Sequence, residues 1–240
     1  MNSKLKIISF YSESHKDLYE KYFYPSASKW YDVVPELQEQ KGDGTFNDKY
    51  FSYMMKRKIE IILANGFNKN LGKDWFVFSD CDVMFFRDFE SDMQRRINEF
   101  DIVAQSDCGG ICAGFMAIKK NKITEKFFNL VLEYMEKDPR MDAGQGFHDQ
   151  QAINELVGII WTGKIYSPEV QRPKYSLVKY FDGYANFDHL VPGKQWNDGM
   201  DIPLKFIPYM WHANFTIGIQ NKLKMFEQIK NKINLMNKNI

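Results

Sequence analysis

Trp75-Phe76-Val77-Phe78-Ser79-Asp80-Cys81-Asp82-Val83-Met84-Phe85-Phe86 is the stretch around which the chain is organised. Four apolar residues follow polar Lys73-Asp74 and stop at Ser79, the pattern of a strand buried on both faces in the middle of a parallel sheet. Two carboxylates appear where the run ends. Residues two apart on an extended chain share a side, so Asp80 and Asp82 are expected to aim together beyond the strand's carboxyl end, where open α/β sheets bind ligands. Paired carboxylates repel one another and resist dehydration beside an apolar strand, which calls for a positive partner. A hard divalent cation that also grips phosphate oxygens meets that need. The plain reading of a bare Asp-x-Asp is a polar strand end. Here the buried run before it and Phe85-Phe86 after it favour function.

At 240 residues the chain is long enough for a sizeable core, and one domain over 1–240 is the expectation. A net charge of +1 gives no reason to expect a nucleic-acid partner. Three cysteines (Cys81, Cys108, Cys112) are too few for a disulfide framework and read as buried thiols in a reducing compartment. Cys108 and Cys112 with His148 lack a fourth ligand at zinc spacing. The N-terminus has no signal-peptide core and no run reaches membrane-spanning length, so the expected location is cytoplasmic.

Leu5 to Tyr11 reads as the first strand, and the polar turn after it makes Phe10 and Tyr11 candidates for contact with a nucleotide base and ribose. Residues 16–24 read as helical and Lys29 to Val34 as a second strand, with a glycine loop at Lys41 to Thr45. Between Asp48 and Asn65, Phe51, Met55, Ile59 and Ile62 recur at helical spacing, and Gly66 stands where a left-handed cap would end the helix. The basic triplet Lys56-Arg57-Lys58 reads first as a solvated face; Arg57 is the member set against a diphosphate. Asp88 to Phe100 reads as helix and Asp101 to Gln105 as strand, ending at Ser106-Asp107. A glycine-rich turn at Cys108-Gly109-Gly110 then feeds a strand whose small residues Ala113 and Gly114 permit close approach of a ligand or of neighbouring backbone. Residues 123–136 form an amphipathic helix, the chain breaks at 137–146, and a further helix begins at Asp149-Gln150 and stops at Gly158. From Ile165 to Pro203 the chain is loop-rich and aromatic, and most of these rings are expected to be packing. Phe206 to Trp211 reads as a strand delivering His212. Residues 219–240 form a basic amphipathic helix, for which docking onto the domain outweighs contact with an anionic membrane surface.

Alternating strands and helices, a mid-chain Asp-x-Asp, an Asp-Gln helix start and a late histidine together resemble the nucleotide-diphospho-sugar transferases of GT-A fold, near the retaining galactosyl- and xylosyltransferase families. The resemblance covers nearly the whole chain. It implies an α/β fold with a Rossmann-like, mixed but mostly parallel sheet flanked by helices, and transfer of a sugar from a nucleotide diphosphate, UDP first among them, to a glycan, lipid or protein. Asp80-Cys81-Asp82 is similar to the metal motif, with Asp82 on Mn²⁺ or Mg²⁺, Asp80 on the donor's ribose, the metal or both, and His212 as the C-terminal ligand. Cys112-Ala113-Gly114 stands where relatives have Asn-Ala-Gly lining the sugar pocket, which places Gly114 there. Asp149 and Gln150 are implied around the donor sugar, and Asp107 is grouped with them as a candidate catalytic residue. Gly218 and Lys222 correspond to a glycine and a phosphate-binding lysine, spaced more widely from His212 than in relatives.

The chemistry agrees. Sugar transfer passes through an oxocarbenium-like state while the departing diphosphate gains charge, which a divalent ion neutralises. Oxygen ligands with one imidazole suit Mn²⁺ or Mg²⁺. An ordinary histidine would compete with protons for that ion near its unperturbed pKa of about 6.5. A glutamine where an inverting enzyme has a carboxylate base cannot deprotonate the acceptor, so retention is expected. Two other classes remain. In a haloacid-dehalogenase-type phosphatase Asp80 would be nucleophile and Asp82 acid, but that motif follows the first strand and carries Thr or Val where Met84 stands. A non-catalytic nucleotide-sugar-binding module would need no intact metal set.

Overall fold

Alternation of side chains along β3 (Trp75–Ser79) sets the layers of the molecule. Phe76 and Phe78 enter one core and Trp75 and Val77 the other, all four fully buried, as a strand covered on both faces requires. The computed structural model describes residues 4–42, 48, 50–67, 72–141, 147–159 and 171–238. In chain order, β1 (Lys6–Tyr11) leads into a helical stretch, α1 (13–27), in which Tyr19–Phe23 winds as a π turn, and then β2 (Asp32–Leu37). Helix α2 (Phe51–Ile61) precedes β3, and β4 (Val83–Phe85), α3 (Glu90–Glu99), β5 (Ile102–Asp107) and β6 (Gly110–Lys119) follow. The chain continues through α4 (Lys122–Lys137), α5 (Asp149–Val157), β7 (Tyr175–Val178), β8 (Tyr184–Asn186), β9 (Met210–His212) and α6 (Ile219–Lys238).

The main sheet has the order β2-β1-β3-β6-β5-β7. β1 runs parallel to β2 and β3, β5 runs parallel to β7, and β6 is antiparallel to both its neighbours. β3 is therefore central, as its apolar run implies, but only one of its neighbours is parallel. Helix α2 with the π turn that follows it, α4 and α5 cover one face through Ile59, Ile62, Phe127, Val131 and Ile153; α1 and α3 cover the other through Tyr19, Phe23, Met93 and Ile97. A second sheet, β4-β9-β8, extends from the first and packs with α6 in a third core. Met225, Phe226, Ile229 and Ile233 of α6 are buried there, which is the docking expected of its apolar face. Among the described residues no helix is long and apolar enough to cross a membrane.

Several local expectations shift. β2 starts at Asp32 rather than Lys29 and holds Pro35, tolerated because the strand lies at the sheet's edge. Gly66 is not a left-handed cap: it closes a π turn, and its missing side chain admits Phe76, since a Cβ there would lie 2.1 Å from that ring's Cζ. His148 rather than Asp149 is the N-cap of α5, while Gly158 ends that helix in the left-handed conformation (φ 94°) as expected. The aromatic loop hides two short strands, β7 and β8, and buries Tyr180, Tyr184, Phe187 and Trp196. Of the expected strand 206–211 only Met210 and Trp211 pair, the strand runs on to His212, and Phe206 stacks on Tyr180, 4.4 Å between ring centroids. The parts of the expected loops at 43–45, 142–146 and 165–170 lie outside the described residues.

Candidate active site

The chain leaves the main sheet at Ser79. The Asp80 N–H still donates to the Gly114 carbonyl (2.8 Å), but the chain then turns and enters the small sheet, where Val83 pairs with His212. An N–H···O bond from Ala213 to the Asp82 carbonyl (2.9 Å) ties the turn to the end of β9. Cys81 points into the core beneath, so Asp80 and Asp82 emerge together. Their convergence, expected of an extended chain, is made by a turn between two sheets. One ligand atom each from Asp80, Asp82 and His212 lies within 4.8 Å of the others.

Backbone irregularity makes room for this cluster. Ala104 pairs with Met116 but Ser106 pairs with Ile111, so residues 112–115 of β6 pull away from β5. Gly114 then abuts the cluster so closely that a Cβ would lie 2.3 Å from His212 Cε1 and 2.8 Å from Asp80 Oδ2. Only glycine fits.

Three basic groups face three acids here. Lys58, only 2% exposed, lies 3.1 Å from Asp80 Oδ1 and 2.8 Å from Asp149 Oδ2. Lys222 Nζ is 2.5 Å from Asp82 Oδ2, and His212 Nε2 is 3.2 Å from Asp82 Oδ1. Burial alone would raise the Asp82 carboxyl, but Lys222 and His212 outweigh it and hold Asp82 well below the usual range. Burial likewise opposes charge on His212, yet the Asp82 carboxylate prevails and pushes the ring up to about 10. That corrects the ordinary histidine value expected from sequence. The Asp149 carboxyl is lowered to about 2, Lys58 overcoming its burial.

The donor set fits a hard divalent ion with carboxylate oxygens and a single imidazole. A family model for nucleotide-diphospho-sugar transferases matches residues 12–226. The chain belongs to that family. Its fold is similar to that of the glycosyltransferase GlyE of Streptococcus pneumoniae TIGR4, at TM-score 0.54 and 15% identity, over 88% of this chain and 55% of GlyE. The transferase thus spans about half of GlyE's length. It is also similar to a glycosyltransferase involved in the glycosylation of the major capsid of PBCV-1, at TM-score 0.56 and 14% identity, over 93% of this chain and 98% of that one. The galactosyltransferase LgtC, solved with donor and acceptor sugar analogs, is similar at TM-score 0.50 and 10% identity, over 88% of this chain and 87% of LgtC. No curated protein matches the chain in sequence. These likenesses establish a GT-A fold.

Beside the acidic cluster the transferase brings together other residues that the sequence singled out. Gln150, at the start of α5, donates from Nε2 to Asp107 Oδ2 (3.0 Å) and accepts the Ala113 N–H at Oε1 (3.2 Å). Asn214 Nδ2 also reaches Asp107 Oδ2, at 3.4 Å. At the end of β1, Phe10 packs near Phe78 and Tyr11 stacks on Tyr19 with ring centroids 4.0 Å apart. Gly218 takes a positive φ of 83° ahead of α6, which starts one residue later and carries Lys222. Arg57 stands apart, its guanidinium on Gln38 and Glu60, while its neighbour Lys58 reaches the carboxylates. Lys58, expected only as one of a basic triplet, and Gln105 join the site without having been singled out by their sequence pattern. The signal for Lys58 was its place four residues after Met54 and four before Ile62, on the buried stripe of the helix.

Proposed function

We propose that this glycosyltransferase moves a sugar, with retention and with the help of a divalent ion, from a nucleotide diphosphate to a glycan-type acceptor on carbohydrate, lipid or protein. The convergence of Asp80, Asp82 and His212 around one point, with Lys222 beside it, carries the reading. Asp82, His212 and Asp80 would hold Mn²⁺ or Mg²⁺, which supplies positive charge to the departing diphosphate. Lys222, an ammonium already at the rim of the cluster, adds charge to the same phosphates. Phe10 and Tyr11 at the mouth of β1 border the nucleoside, and Gly114, having no side chain, lets His212 and Asp80 close against β6 beside the donor sugar. Gln150, oriented by Asp107 and Ala113, lies against the reacting face of that sugar.

Retention is supported by the residue read against the donor sugar, a glutamine rather than a carboxylate, with the neighbouring Asp107 engaged as an acceptor by Gln150 and Asn214. Gln150 carries no charge to accept a proton. Asp149 is paired with Lys58, and a carboxylate with a pKa of about 2 is a poor general base at neutral pH. Hydrolysis of a panel of UDP- and GDP-sugars, assayed with and without Mn²⁺, tests the assignment. Metal-dependent turnover of one donor supports it. Donor binding without turnover would leave a binding module, and turnover of phosphomonoesters alone would restore the phosphatase.

Two expectations follow from the geometry. Gln150→Ala should lower turnover roughly a hundredfold, the scale of one lost transition-state contact, while nucleotide affinity stays within about twofold. Equal losses in both, measured by steady-state kinetics and calorimetry, would reduce Gln150 to a helix-start residue. The second concerns pH. His212 holds a proton up to about pH 10 in the metal-free protein, and a ligating imidazole must be neutral. Metal affinity should therefore climb as pH rises from 6.5 to 8.5, approaching tenfold per unit, with a proton released on binding. Titrations in buffers of different ionisation enthalpy would read that proton; a flat profile above pH 7 would mean that Asp82 does not hold His212 protonated.

A further inference from the structure

Gln105 is a polar residue where β5 should be apolar. Ile102, Val103 and Ala104 precede it, and like them it is completely buried. A buried carboxamide is costly unless its hydrogen bonds are made, and a leucine would pack there without that cost. Its Nε2 donates to the carbonyl of Ala185 (2.9 Å) and more distantly to that of Tyr184 (3.4 Å), both on β8. Two backbone carbonyls can only accept, so the amide orientation is fixed with Oε1 on the other side. There Oε1 lies 2.8 Å from His212 Nδ1. The other polar neighbour of that nitrogen, Cys112 Sγ, is 3.7 Å away and a weak partner. Nδ1 must therefore carry hydrogen, and the nitrogen left with a lone pair in the neutral ring is Nε2, the one that faces Asp82.

We infer that Gln105 is a positioning residue that fixes the His212 ring with Nε2 presented to the metal. It bridges the two sheets at the point where the ligand emerges: its backbone belongs to β5, its donor grips β8 and its acceptor holds the histidine of β9. Outer partners of this kind set ring orientation and ligand basicity and typically change metal affinity ten- to a hundredfold. The inference rests on the metal reading given above and adds to it the source of the ligand's geometry.

The experiment is a titration with Mn²⁺ alone, followed by the loss of the free-ion electron paramagnetic resonance signal, on wild type, Gln105→Leu and Gln105→Glu, each checked for folding by circular dichroism. Gln105→Leu removes the acceptor and should bind Mn²⁺ about ten- to a hundredfold more weakly. Gln105→Glu forfeits the bond to Ala185 but keeps an oxygen for Nδ1–H, and should bind within a few-fold of wild type or more tightly. A purely structural residue gives another pattern: both variants lose stability while their folded fractions bind Mn²⁺ normally, or both lose affinity equally. Either result overturns the inference and leaves the metal site standing. Wild type failing to bind Mn²⁺ overturns the metal reading itself, and the inference with it.

Discussion

Lys58→Met is expected to destabilise the metal-free protein by about 3–5 kcal/mol, the usual cost of removing one partner from a buried ion pair. The ammonium sits 3.1 Å from Asp80 Oδ1 and 2.8 Å from Asp149 Oδ2, and both it and Asp149 are 2% exposed. Methionine fills much of the same volume, so the loss would reflect uncompensated charge rather than a cavity. The pH dependence identifies the cause. Asp149 has a folded pKa of about 2, below the ordinary 3.9, so its pairing contributes stability that is full above about pH 4 and is lost as pH falls through 2. The gap between wild type and variant should accordingly narrow as acid protonates Asp149. Urea unfolding at pH 7 and at pH 3 measures both effects. A difference under about 1 kcal/mol at pH 7 would mean that water reaches the triad and screens it.

Much of this arrangement was legible before any fold was known, because β3 combines two rules that agree. Its continuous apolar run demands cover on both faces, and its abrupt polar end demands a site. The turn at Asp80 to Asp82 was not legible, since an extended chain and a turn between sheets both deliver two carboxylates to one side. Lys58 and Arg57 differ by a single helical step of about 100°, and a basic triplet does not announce which member faces inward. Its place in the stripe with Met54 and Ile62 does announce it, at the expense of admitting a lysine to a buried face. Gln105 stands last in the expected strand 101–105, where a polar side chain calls for no inward partner, whereas the pairing continues to Asp107. The short strands β7 and β8 carry too few residues for any period to show among the surrounding aromatics.

Opposed charges explain how the metal-free cluster tolerates burial. Lys58, Lys222 and protonated His212 answer Asp82 and Asp149, while burial pushes the Asp80 carboxyl up against the pull of Lys58. On the proposed reading Asp80, Asp82 and His212 would hold a divalent ion that supplies positive charge of its own, the proton on His212 would then be surplus, and Lys222 would be free to pair with phosphate.

Asp82→Asn tests that exchange most directly. Asparagine has nearly the same shape, and Val83 would still pair with His212, so the chain should fold. It lacks the charge that binds His212 Nε2 at 3.2 Å and Lys222 Nζ at 2.5 Å. Without that carboxylate the His212 pKa should fall from about 10 toward its ordinary value, because burial then acts unopposed by the nearest anion. Losing a ligand should cost more than the ten- to hundredfold typical of an outer partner, so the gain in nucleotide affinity that Mn²⁺ gives wild type should vanish. Nucleotide binding without metal should persist or strengthen, since Lys222 no longer has Asp82 to hold it. Calorimetry with UDP, with and without Mn²⁺, separates the two effects. An unchanged Mn²⁺ enhancement in the folded variant would remove Asp82 from the metal site, and a loss of metal-free binding together with the enhancement would mean that Asp82 shapes the pocket rather than charging it.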